Sequence, residues 1–154
     1  MKIEEEIQQG SFNSEQQRLL INIIFTGNQF TLANNRILKK FAITSQQFNV
    51  LRILRGQKGK AISVMDIHGR MLDTTSNVSR LVDKLLVKKL IERIISPEDR
   101  RKVALTITKK GIKLLSEIDI DGEDLKQKMR NAVTDEEAKT ASRILDKFRI
   151  INQI

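Results

Sequence analysis

Apolar positions along this chain recur in two rhythms, and the change from one to the other marks its architecture. Leu19, Leu20, Ile23, Ile24, Phe30, Ala33, Ile37 and Leu38 follow helical spacing, broken only weakly at Gly27. Ser14 stands before this segment with Gln17 three residues on, a pairing in which each side chain satisfies the other's orphan backbone N–H at a helix start. The same signature recurs at Thr44 with Gln47, opening a helix that carries Phe48, Leu51 and Leu54 and stops in the glycine- and lysine-rich stretch 56–59. Ser63 with Asp66 opens a short third helix running to Met71, with Ile62 placed before the cap to pack on Ile67. Thr134 with Glu137 opens the last helix, whose face holds Ala138, Ala141, Ile144, Leu145 and Phe148. Between Leu72 and Thr75 the chain is expected to turn. A fourth helix then spans 75–89, with Val78, Leu81, Val82, Leu85 and Leu86 as its apolar stripe. Its other face is polar: Ser76, Asn77, Arg80, Asp83 and Lys84.

Past Lys89 the rhythm changes to two. Residues 91–95 and 102–107 are β-prone and partly alternating, and they flank 96–101, which contains the chain's single proline, Pro97. Its fixed φ suits the second position of a type I turn, and Ser96 before it can bond the turn backbone. The hairpin tip then presents Arg100 and Arg101, with Asp99 close enough to brace one of them. Two short helices joined by a brief turn, the second polar and basic on its outward face, have the layout of a helix-turn-helix. A basic hairpin directly after it is a wing, able to reach a minor groove while the helix occupies the major groove. The fold class expected is mainly α with a small two-stranded β-wing.

Charge sharpens this picture. The net charge is +9 over 154 residues, which favours polyanionic partners. It is concentrated: residues 80–113 carry eleven basic and four acidic side chains, whereas 114–154 carry seven and nine. Other chemistries find little footing. There is no cysteine and one histidine, His68, so disulfides, thiol redox sensing and Cys/His metal sites are not expected, and no metal site is assigned. No nucleophile and base are spaced to converge, so no catalytic residue is assigned and no enzyme activity is expected. The chain has no apolar run of eighteen residues, and its start, Met1-Lys2-Ile3 followed by three glutamates, lacks the order of an export signal. A cytoplasmic protein without membrane partners is the expectation. A hydrophobic content of 40% suffices for one ordinary core.

The stretches Ser76-Asn77-Val78-Ser79-Arg80-Leu81-Val82-Asp83-Lys84-Leu85, Leu90-Ile91-Glu92-Arg93, Ser96-Pro97-Glu98-Asp99-Arg100-Arg101-Lys102-Val103 and Thr108-Lys109-Lys110-Gly111 together resemble the MarR family of bacterial transcriptional regulators. Gln47-Phe48-Asn49-Val50-Leu51 adds to the likeness, which is strongest over 44–115. The resemblance implies one domain over 1–154: a winged helix-turn-helix at about 44–111 and dimerisation helices at about 14–43 and 112–154. It implies a homodimeric repressor on a pseudo-palindromic double-stranded DNA site, released by a small-molecule effector. It also implies roles. Thr75, Ser76, Asn77 and Arg80 would meet base edges or adjacent phosphates, while Lys84 and Lys88 would contact backbone phosphate. Asp99, Arg100, Arg101 and Lys102 would form the wing contact, and the sequence does not decide which arginine enters the groove. No cofactor is implied. Relatives take phenolic or other aromatic ligands, but this chain has no Trp or Tyr and only six Phe to stack on them, so the ligand's identity stays open. One departure stands out: Lys89 occupies a place where the family commonly has glycine, because a left-handed helix end is easy there.

Overall fold

The structure, a computed structural model, describes residues 1–95 and 103–151. Its elements in order are α1 (Ile3–Glu6), α2 (Glu15–Lys40), α3 (Ser45–Gly56), α4 (Val64–His68), α5 (Val78–Val87), β1 (Ile91–Ile95), β2 (Val103–Ile107), α6 (Lys109–Asp121), α7 (Glu123–Ala132) and α8 (Asp135–Ile151). The expected capping pairs form reciprocally at Thr44, Ser63 and Thr134, and by one half at Ser14, where the Gln17 side chain accepts from Asn13 N–H at 2.8 Å instead of from the cap residue. Ser14 Oγ, Thr44 Oγ1 and Ser63 Oγ accept from the N–H of Gln17, Gln47 and Asp66, and Thr134 Oγ1 accepts from Glu137 N–H. No helix among the described residues is long and apolar enough to cross a membrane.

The chain divides into two compact units, Met1–Ile118 and Asp119–Ile154. In the first, Leu38, Leu51, Leu54, Ile67, Leu85, Leu105 and Leu115 are fully buried and bring α2 through α6 into one core. Each such side chain stabilises the fold by about 1.5–3 kcal/mol relative to an exposed one. β1 and β2 pair antiparallel, Ile91 opposite Ile107 and Ile95 opposite Val103. Ile62, in the approach to α4, exchanges backbone hydrogen bonds with Leu105 at 3.0 and 2.8 Å, which ties the root of the hairpin to the helix-turn-helix. In the second unit α7 and α8 bury none of their residues, although the last helix carries the apolar face read from the sequence.

Three boundaries differ from expectation. The third helix ends at His68 rather than Met71, because Gly69, Arg70 and Met71 close short turns onto Met65, Ile67 and His68. The fourth begins at Val78 instead of Thr75 and ends at Val87, since Asn77 caps it and Thr75 and Ser76 are drawn into a turn around Asp73. The second strand is described from Val103. The short α1 and the separate α7 were not anticipated.

Candidate nucleic-acid interface

Local chemistry sets how α5 is presented. The Asp73 carboxylate accepts hydrogen bonds from Thr75 N–H at 3.0 Å, Thr75 Oγ1 at 2.7 Å and Ser76 Oγ at 3.0 Å. The two hydroxyls and that N–H hold its pKa below the ordinary carboxylate value. Leu72 N–H donates to Asn49 Oδ1 on α3 at 2.9 Å, so the turn is anchored to the core as well as closed on itself. Asn77 Oδ1 then accepts from Arg80 N–H at 3.1 Å and starts α5. Val78, Val82 and Leu85 are buried beneath, leaving Thr75, Asn77, Arg80 and Lys84 exposed and Ser76 half-buried.

The far end of α5 is fixed just as firmly. Lys89 N–H bonds to Leu86 O at 2.9 Å and Leu90 N–H to Leu85 O at 3.0 Å, a Schellman closure with Lys89 in the left-handed region at φ 57°. The position where glycine was missed is therefore a true left-handed cap, built with lysine. α6 and the residue before it reinforce this end: Lys110 Nζ donates to Lys88 O at 2.9 Å and Thr108 Oγ1 to Lys89 O at 2.9 Å. Gly111 lies so close that a Cβ there would sit 2.3 Å from Leu90 O. Arg93 on β1 pairs with Asp83 on α5 at 3.2 Å, joining the base of the hairpin to the helix.

The sequence-predicted reader residues Thr75, Ser76, Asn77 and Arg80 thus gather at the start of α5, the first three ahead of the helix proper. Lys84 follows Arg80 one turn along. Among the described residues neither Arg80 nor Lys84 makes a side-chain hydrogen bond or ion pair. Lys88 differs: the residue is half-buried and its ammonium donates to Ala42 O, just past the end of α2. Asp99, Arg100, Arg101 and Lys102 lie outside the described residues. Asp73, Asn49 and the Asp83–Arg93 pair were missed as organisers of the site. The Asp73-x-Thr75-Ser76 order carries a turn signal that could have found the first, whereas the other two depend on tertiary contact.

A short helix, a closed polar turn, a capped outward-facing second helix and a hairpin fastened to it define a winged helix-turn-helix, a DNA-binding class of transcriptional regulator. The profile of the MarR family matches residues 43–103. The HTH-type transcriptional regulator MhqR of Bacillus subtilis (strain 168) is 30% identical over 111 residues, 72% of this chain and 75% of that protein. The multiple antibiotic resistance protein MarR of Salmonella typhimurium is 29% identical over 115 residues, 74% and 78% of the two chains. Among solved structures, a cysteine-to-serine MarR variant from E. coli complexed with operator DNA superposes with a TM-score of 0.70 at 26% identity, covering 90% of this chain and 99% of that one. The S. aureus MepR–DNA complex shares the fold with a TM-score of 0.75 at 23% identity, over 86% and 95%. The chain belongs to the MarR family of transcriptional regulators.

Proposed function

We propose that this regulator is a homodimeric repressor that binds a pseudo-palindromic double-stranded DNA site and is released by a small-molecule effector. α5 enters the major groove by its start, where Thr75, Ser76, Asn77 and Arg80 meet base edges and adjacent phosphates, and Lys84 meets backbone phosphate. Arg100 and Arg101, with Asp99 and Lys102, approach the neighbouring minor groove. The observation that carries this reading is the presentation of α5: both ends are fixed by hydrogen bonds while Arg80 and Lys84 project from it exposed. The bases and phosphates of a site can pair with such unengaged groups without first breaking contacts inside the protein.

The dimer is supported by apolar surface that a single chain leaves bare. Leu20, Ile24 and Phe30 of α2 and Ile144 of α8 are exposed, and a second copy of the chain would cover such faces. Effector release is supported by an open groove of about 520 Å³ lined by Ala42, Thr44, Gln47, Asp83, Lys84, Val87 and Lys88. A ligand seated there touches both α5 and the α2–α3 junction, so it can alter how the reader is held. Its lining contains no aromatic ring, and the chemical identity of the effector is left open. Selection from a random duplex pool tests the central reading. A palindrome with half-sites about 10–10.5 base pairs apart is expected, and recovery of unrelated sequences would remove the claim of specificity.

A further inference from the structure

We infer that Leu72 reads sequence as well, by packing its side chain against the C5-methyl group of a thymine in each half-site. The inference rests on the DNA-binding reading above and adds to it a contact that the polar reader residues cannot make. Leu72 is 91% exposed, although the residue before it, Met71, is buried. Its backbone is held from both sides: its own N–H donates to Asn49 Oδ1 at 2.9 Å, and Asp73 after it closes the turn onto Thr75 and Ser76. A large aliphatic side chain is therefore held out into water by an ordered backbone, where it gains nothing in the free protein. Burial comes only with a partner.

Place and chemistry identify that partner. Leu72 lies three residues before Thr75 and five before the Asn77 cap, at the end of α5 that enters the groove in a helix-turn-helix. Major-groove base edges present hydrogen-bonding groups and one aliphatic group, the thymine methyl. Leucine has neither donor nor acceptor at its side chain, so the methyl is its complement. Lys84 and Arg80 supply charge and hydrogen bonds along the same helix, and Leu72 supplies the apolar contact at its entry.

The test is a methyl scan of the selected site, replacing each dT in turn by dU, which removes the methyl group and leaves base pairing intact. For the wild-type protein one dT per half-site should be sensitive, with affinity falling about fourfold per half-site. Leu72→Ala should bind the methylated site with a comparable loss and become indifferent to dU at that position alone. Wild-type binding untouched by every dT-to-dU change would overturn the inference, as would a Leu72→Ala protein that keeps the sensitivity; either result leaves specific DNA binding standing. Failure to select any site would instead overturn the DNA-binding reading and this inference with it. The wild-type scan needs no variant to fold, and circular dichroism of Leu72→Ala checks the second arm.

Discussion

Arg80 and Lys84 lie one helical turn apart on α5, both exposed, yet they should do different work on DNA. Arg80 sits beside the Asn77 cap, at the helix start proposed to meet base edges, and its planar fork can take guanine O6 and N7 together. Arg80→Ala should cost about 1–3 kcal/mol against the preferred site and little against mismatched ones. Lys84→Ala should weaken all sequences alike and lower the slope of log affinity against log salt by about one. Lys88 was expected to behave like Lys84. Because its ammonium is already bound by Ala42 O, Lys88→Ala should leave the salt slope nearly unchanged. Filter binding of the three variants at several salt concentrations separates these outcomes, and equal slopes for Lys84→Ala and Lys88→Ala would undo the division. Asp73 contributes differently, by holding the turn in its ionised form. Since its folded pKa is depressed, its contribution is complete above the ordinary carboxylate range and is lost as pH falls through the lower folded value. Asp73→Asn should therefore weaken specific binding at neutral pH while thermal melting shows a folded chain. An unchanged affinity would show that the turn needs no anion.

At the scale of elements, the junction of α5, β1 and α6 is where packing is least forgiving. A Cβ on Gly111 would lie 2.3 Å from Leu90 O and 2.7 Å from Ile107 Cγ1, and backbone carbonyls do not give way as side-chain ends do. Gly111→Ala should destabilise the protein by roughly 1–3 kcal/mol. Lys89→Gly, at φ 57°, should stabilise it by roughly 0.5–1 kcal/mol by relieving the left-handed lysine. Denaturant titrations of both check the signs, and a destabilised Lys89→Gly would mean that the lysine side chain contributes more than its backbone costs. These two positions also show what a sequence can reveal. Thr44, Ser63 and Thr134 were legible because a capping box is local: two residues three apart decide it, and at Ser14 the same spacing delivered the cap but not the return bond. The stripe Val78, Val82 and Leu85 was legible because burial follows the helical period. The start of α5 was misread because Thr75 and Ser76 suit a helix start as well as a turn, and Asp73 takes both hydroxyls. The fixing of α5 by Thr108 and Lys110 joins residues about twenty apart, and no local pattern announces such a bond.

Over the whole molecule, the proposed function puts binding on the basic charge concentrated at 80–113 and assembly on the apolar side chains bared at Leu20, Ile24 and Phe30, in different parts of the chain. That separation makes the two experimentally divisible. Ile24 is 53% exposed, so Ile24→Glu places a charge where water already reaches in the single chain and should leave the first unit folded. In a dimer that covers this face the same carboxylate would be buried without a partner, which costs several kcal/mol and dissociates the pair. Sedimentation should then find a monomer for the variant and the proposed dimer for the wild type. The monomer should still bind nonspecific duplex at low salt, because its basic middle is intact, with about half the dimer's salt slope, since each copy neutralises its own set of phosphates. Its preference for a palindrome over an isolated half-site should vanish, because two half-sites read by unlinked monomers lose the effective concentration that one dimer provides. If Ile24→Glu remains dimeric, α2 does not supply the interface. If it is monomeric yet still prefers the palindrome, each half-site is recruited by contacts between wings or readers on the DNA, and assembly would belong to the winged helix-turn-helix rather than to the terminal helices.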